Sequence, residues 1–204
     1  MKKNIILSLF TILPFLGMAQ SETLLGGELR FGGFGGPNVE LGFIDGQAAF
    51  YSGGSGAMIV NGKFIVGGFG QGLISEHIID PFEGSAIRPA VLSNRVSEIQ
   101  QGGFWLGYIH KPTKLWHLHG GLQMGGGEVD FYDQWNDSYS FEGDGFLALR
   151  PYIGVELNIA KFMKISASGG YQFVTGLNNY YLNNSDLSQP FVNLGFKFGF
   201  FNEG

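Results

Sequence analysis

Along the second half of the chain, apolar and polar positions alternate one by one. Val192, Leu194, Phe196, Phe198 and Phe200 fall on one face, and Asn193, Gly195, Lys197 and Gly199 on the other. Ile165, Ala167, Tyr171 and Phe173 oppose Lys164, Ser166, Ser168 and Gln172. Leu147, Leu149, Ile153, Val155 and Leu157 oppose Arg150, Tyr152, Glu156 and Asn158. Trp116, Leu118, Leu122 and Met124 oppose His117, His119 and Gln123, and near the start Leu25, Leu29 and Phe31 oppose Glu28 and Arg30. A period of two is the signature of a strand with two unlike faces. Eight such stretches are predicted: Leu24–Phe34, Ala48–Val60, Lys63–Leu73, Ile99–Ile109, Leu115–Gly126, Phe146–Asn158, Met163–Val174 and Pro190–Phe201. Each is close to the roughly 9–11 residues that a tilted strand needs to cross a bilayer. Strands two to four read less clearly, because Gly53, Gly54, Gly56, Gly67, Gly68 and Gly70 blur their faces.

The connections alternate in length. Asn61-Gly62, Lys111–Lys114 and Ile159–Phe162 are short, and Asn-Gly is a strong hairpin signal. Four long connections are expected at 35–47, 74–98, 127–145 and 175–189. Short turns on one side and long loops on the other is the pattern of a transmembrane barrel. An even strand number places both termini with the short turns. Pro37, Pro81 and Pro89 fall in expected loops, while Pro151 interrupts strand six and predicts a bulge or a broken ladder.

Charge decides where the apolar face points. A soluble barrel would carry its charge outside, yet charged residues make up only 14% of this chain. The polar face is too sparsely charged to solubilise an exterior and suits a narrow lumen. The expected fold is therefore all-β, an eight-stranded antiparallel up-and-down transmembrane β-barrel. Closure removes sheet edges, which lipid does not tolerate. No cysteine is present, so burial and the backbone ladder must hold the chain together.

The N-terminus reads as a secretory signal. Lys2 and Lys3 precede the apolar stretch Ile5–Leu16, and Gly17-Met18-Ala19 places cleavage before Gln20. Residues 1–19 are the expected signal, and 20–204 form one barrel domain. Without Lys2 and Lys3 the net charge of −5 becomes −7. Such an acidic chain does not suit nucleic acid, whose binding rests on Lys and Arg.

Aromatic residues gather near the strand ends. Phe64, Tyr108, Trp116, Phe162 and Phe200 lie toward the short turns, and Phe34, Tyr51, Phe104, Tyr171 and Phe173 toward the long loops. Of these, Tyr108, Trp116, Phe162, Tyr171, Phe173 and Phe200 are the expected lipid-interface aromatics. The signal ending Gly-Met-Ala-Gln, the Gly/Phe-rich first strands and the closing Phe191–Phe201 resemble the small outer-membrane β-barrels of Bacteroidota, similar in build to OmpA- and OmpX-type barrels. That resemblance implies residence in the outer membrane, surrounded by its lipid. It also implies recognition of the C-terminal strand by the barrel-assembly machinery, with Asn202-Glu203-Gly204 following the last aromatic here. It implies no single activity.

The inward-facing candidates are Glu28, Arg30, His117, His119, Arg150, Glu156, Lys164 and Lys197, which would form a polar network in a lumen that side chains just fill. A salt-bridge plug is the favoured reading, with a gated small-solute conduit as its rival. His117 and His119 share a face at the spacing of a metal pair, but lumen hydrogen bonding is the better account. No metal or cofactor is expected. The stretch Gly127–Gly145 is acidic and aromatic, with Tyr132, Trp135 and Tyr139 as candidate contacts to an extracellular ligand or surface partner. Its carboxylates could bind Ca²⁺, although EF-hand spacing is not met. Ser75, His77 and Asp80 lie close in sequence, but nothing orders them as a triad. The expected role is structural or surface-interacting, displayed through long loops. A narrow channel comes second, and a lipid-modifying acyltransferase or lipase third.

Overall fold

The computed structural model describes residues 29–79, 94–132, 143–178 and 182–201. Eight antiparallel strands close into an up-and-down barrel: β1 (Phe31–Ile44), β2 (Gln47–Val60), β3 (Phe64–Leu73, resuming at His77–Ile79), β4 (Asn94–His110), β5 (Trp116–Tyr132), β6 (Asp144–Ala160), β7 (Met163–Tyr171, resuming at Phe173–Thr175) and β8 (Pro190–Phe200). Each strand pairs with its sequence neighbours. β8 returns to β1 in the register Val39↔Leu194, which closes the wall. One short helix, α1 (Asn184–Leu187), lies in the connection before β8. No described helix is long and apolar enough to cross a membrane.

The alternation read from β5 to β8 sets the faces. Ile153, Leu147, Val192, Leu194 and Phe200 are exposed on the outer wall, while Arg150, Glu156, Lys164 and Lys197 are buried inside. The glycine-rich strands follow the same rule. Val39, Phe50, Met58 and Val66 point out, and Ile59 and Ile65 point in. Inward glycines let neighbouring strands approach closely. At Gly36 an added Cβ would fall on the carbonyl oxygen of Phe196, and at Gly125 on that of Gly102. Those positions admit no side chain in so tightly coiled a wall.

The first strand differs from its expected place. Residues 24–28 lie outside the described residues, and residues 35–44 continue β1 where a long connection was expected. The chain turns instead on Asp45-Gly46, with φ of 47° and 74°. Asn61-Gly62 has φ of 53° and 66°, so both hairpins use a left-handed two-residue turn. Three long connections remain rather than four. β4, β5 and β6 extend further toward them than expected, each reaching 17 residues.

Two prolines sit inside strands, and each meets a gap on one side only. Pro37 pairs with Gly54 of β2, while the β1–β8 ladder has no pair at Gly36 or Pro37. Pro151 pairs with Leu122 of β5. On its other side the pairing passes from Tyr152↔Gly170 to Leu149↔Phe173, and β7 is interrupted at Gln172. The backbone N–H of Gln172 donates instead to the carbonyl of Gln189 at 2.9 Å. The broken ladder expected at Pro151 is thus present, because proline offers that neighbour no donor.

The interior is packed in two apolar layers. At the loop end Ile44, Tyr51, Ile99, Val129, Phe146 and Val174 meet Leu177, Leu182 and Leu187. Nearer the short turns Phe34, Ile59, Ile65, Trp105 and Ile109 pack with Phe201.

Candidate functional site: a packed, charged interior between rims of opposite sign

Between the apolar layers lie two ionic groups. In the first, the Arg150 guanidinium pairs with Glu40 across the lumen. Gln71 Nε2 donates to Glu40 Oε1 at 2.7 Å and Asn193 Nδ2 to Oε2 at 3.1 Å. Arg150 also donates to Gln123 Oε1 at 3.2 Å and lies 4.2 Å from the centre of the Phe191 ring. Five strands thus converge on one ion pair. Charge-assisted bonds of this kind are the strong ones in a dry interior.

In the second group, among the described residues, the Glu156 carboxylate lies among several basic side chains. Glu156 pairs with Lys197, takes a 3.0 Å hydrogen bond from His117 Nε2 and lies 3.8 Å from His119 Nδ1. Lys164 stands directly opposite Lys197 in the β7–β8 register. Aromatic faces share the load: Lys164 lies 4.3 Å from the Phe201 ring centre and Lys197 4.7 Å from that of Phe34. Trp105 Nε1 donates to Tyr152 Oη at 2.6 Å beside them. A cavity of about 30 Å³, bordered by Glu40, His119, Tyr152, Asn193 and Lys197, separates the two groups. It has room for little more than a pair of water molecules. His119 and the Asn38 side-chain oxygen lack a protein hydrogen-bond partner among the described residues, so water there would have polar neighbours.

The loop end is closed from within. The connection after β7 bends inward and buries Leu182 and Leu187 almost completely. Its backbone is tied down at many points. Leu177 N donates to Asn184 Oδ1 at 3.0 Å, Asn178 N to Asp144 Oδ2 at 2.6 Å, and Val174 N to Ser188 Oγ at 2.9 Å. Asp45 N reaches the Asp186 carbonyl at 3.0 Å, which fastens α1 to the β1–β2 turn.

The residues singled out from sequence separate into groups. His117, His119, Arg150, Glu156, Lys164 and Lys197 are brought together inside. Arg30 is not among them. It precedes β1 and is exposed at the short-turn rim, where its N–H donates to Asn61 Oδ1 at 3.0 Å. Glu28 lies outside the described residues. Tyr108, Trp116, Phe162, Tyr171, Phe173 and Phe200 are exposed on the outer wall. Phe34 and Tyr51 are buried inside instead, because by alternation they lie on the face opposite exposed Phe31 and Phe50. Tyr132 ends β5, while Trp135 and Tyr139 lie outside the described residues, as does Asp80. Ser75 Oγ lies 3.4 Å from His77 Nδ1, but it also accepts the backbone N–H of Phe50 at 3.0 Å. That contact holds a strand end. Glu40 was missed because Gly36-Pro37 reads as a loop, although Asn38 and Glu40 already alternate with Val39 and Leu41.

The rims differ in sign. Asp45, Glu76, Glu98, Glu128, Asp130 and Asp144 stand at the loop end, and Arg30, Lys63, Lys111, Lys114 and Lys161 at the short-turn end.

The architecture matches solved membrane barrels. Neisserial surface protein A aligns with a TM-score of 0.55 at 10% identity, over 84% of this chain and 99% of that one. The attachment invasion locus protein Ail of Yersinia pestis, solved with the heparin analogue sucrose octasulfate, aligns at 0.51 and 16% identity, over 85% and 100%. The outer membrane protein OprG of Pseudomonas aeruginosa aligns at 0.48 and 15% identity, over 83% and 95%. The first two show that the chain has the fold of a small outer-membrane β-barrel. No protein-family model matches the sequence, and no curated protein matches it.

Proposed function

We propose that the chain is exported by its N-terminal signal, is inserted into the outer membrane through its C-terminal strand by the assembly machinery, and serves there as a closed structural barrel with an interactive outer end. The band of exposed apolar side chains supports membrane residence. Phe104 is 76% and Ile153 67% exposed, and such a belt around a whole molecule is not sustained in water. The exposed Tyr108, Trp116, Phe162 and Phe200 at one end, and Tyr171 and Phe173 at the other, suit the two lipid interfaces.

One observation carries the choice between structural barrel and conduit. Leu177, Leu182 and Leu187 fill the loop-side lumen against Ile44, Ile99, Val129 and Phe146. A hydrated ion has no path through such packing, so the ionic groups beneath act as staples between strands rather than as a filter. In planar lipid bilayers the protein should give no conductance steps, and Arg150→Ala should be equally silent. Regular steps in the wild type would overturn the reading. Among the described residues nothing favours an acyltransferase or lipase, since Ser75 faces Nδ1 of His77 and is engaged by Phe50.

The outer end supports contact with a partner. Ail was solved with a polyanion, but the described charge at this chain's loop end is mostly acidic, with Arg95 the exception. The ligand suited to it is cationic, and a sulfated polysaccharide should not bind. Proteolysis of intact cells should cut the connections at 80–93 and 133–142 and spare the three short turns.

A further inference from the structure

We infer that the β4–β5 turn is a binding site for an anionic phospholipid headgroup of the inner leaflet. The inference rests on the membrane reading above. The turn Lys111-Pro112-Thr113-Lys114 presents two exposed lysines beside exposed Leu115 and Trp116. His110, Lys111, Lys114, Leu115, Trp116 and Leu118 line an open groove of about 600 Å³ on the outer wall there. Cations at the rim and apolar walls running toward mid-barrel match an amphiphile with a negative head and a hydrocarbon tail.

The turn is built rather than loose. Lys111 has φ of 54°, a left-handed conformation uncommon for a residue with a side chain. It is held there by several bonds. Lys114 N donates to the Lys111 carbonyl at 3.1 Å, and Asn158 Nδ2 donates to the carbonyls of Pro112 at 3.0 Å and Lys114 at 2.8 Å. Asn158 N also donates to the Leu115 carbonyl at 2.8 Å. Strain kept in place by its surroundings marks a conformation with a use, and here it fixes the backbone of both lysines at the edge of the groove. Charge makes the choice of lipid. Arg30, Lys63 and Lys161 surround the same end, and no exposed carboxylate stands there among the described residues. The opposite end carries carboxylates and would repel the same headgroup. A zwitterionic lipid would leave the cations only partly matched.

The test uses the whole barrel in nanodiscs of phosphatidylcholine containing a minor fraction of phosphatidylglycerol. Lipid that stays bound after extraction is counted by native mass spectrometry. Phosphatidylglycerol should be enriched roughly fivefold over its share, the scale of one well-placed lysine at an anionic surface. The double variant Lys111→Asn/Lys114→Gln should lose the enrichment, asparagine being chosen because it tolerates a left-handed backbone. Lys111→Arg/Lys114→Arg should keep it, and Lys161→Gln should keep most of it. Insertion without enrichment would overturn the inference while leaving membrane residence intact. So would enrichment that survives in the double variant, or a second copy of the chain occupying the groove as a dimer. Failure to insert into nanodiscs of either composition would overturn the membrane reading and this inference with it.

Discussion

The two ionic groups inside the barrel use the same currency in different proportions. At mid-barrel, Glu40 and Arg150 meet one to one, and the remaining donors and acceptors around them are the neutral amides of Gln71, Gln123 and Asn193. Nearer the short turns, the carboxylate of Glu156 serves Lys197 and His117 together, with His119 Nδ1 3.8 Å away. A balanced pair can be removed whole, because its neighbours are neutral. A shared carboxylate cannot, because taking it out strands both Lys197 and His117 in a low dielectric. Removing one member of a buried pair costs about 3–5 kcal/mol, whereas replacing both with apolar groups is often neutral. The arrangement of partners, more than the number of bonds, should therefore set how each group responds to substitution.

The largest effect should follow Glu156→Gln. Urea unfolding in detergent micelles should show a loss at or above the upper end of that range, about 5 kcal/mol. Adding Lys197→Met should recover only part of it, since His117 still lacks its acceptor. At mid-barrel, Arg150→Met alone should cost about 3 kcal/mol, because Glu40 keeps the donors from Gln71 and Asn193. Here the double variant Glu40→Gln/Arg150→Met should return to within about 1 kcal/mol of the wild type. Equal recovery in both double variants would show that the sharing of Glu156 between Lys197 and His117 carries no energetic weight.

This contrast was only half legible in the sequence. His117, His119, Arg150, Glu156, Lys164 and Lys197 stand out because strands β5 to β8 alternate cleanly and each charge interrupts an otherwise small or polar face. Glu40 does not stand out, since Gly33, Gly35, Gly36 and Pro37 precede it and carry the local signature of a loop. Those residues serve a strand because the barrel is narrow. Inward glycines admit the neighbouring backbone, and the missing N–H of Pro37 falls where the β1–β8 ladder is already open. Arg30 was misassigned for the same reason in reverse: the alternation of Leu29 and Phe31 around it extends past the point where the wall begins. Closure and curvature are properties of the whole sheet, and a local period carries no information about them. The inward fold of the connection after β7 was equally hidden. Leu177, Leu182 and Leu187 recur every five residues, which fits neither a strand nor a helix period, and only their burial identifies them as a plug.

That plug permits a smaller test of how the interior divides its work. Leu187→Ala removes a fully buried side chain from the loop-side layer, where leucine truncation costs about 2–5 kcal/mol. The value should fall near 2 kcal/mol, because the connection can settle toward the gap more easily than a strand can. Conductance should stay absent, since the Glu40–Arg150 pair and the lower apolar layer remain. Current appearing in this variant would mean that the ionic groups offer no barrier of their own.

The smallest effect should come from Arg150→Lys, and it separates charge from shape. Lysine keeps the positive charge opposite Glu40, so the buried carboxylate is not left alone. It loses the planar fork that lets one side chain reach Glu40 and Gln123 together and lie 4.2 Å from the centre of the Phe191 ring. The loss should be about 1 kcal/mol, in the range of one cation–π contact and one neutral hydrogen bond. The matching exchange at the other group, Lys197→Arg, should cost more, because a larger head must fit between Glu156, Phe34 and Trp105 where the ammonium already lies within about 5 Å of both rings. If Arg150→Lys proves as damaging as Arg150→Met, the mid-barrel pair is held by the geometry of the guanidinium rather than by its charge, and the double variant that removes both partners should then fail to recover.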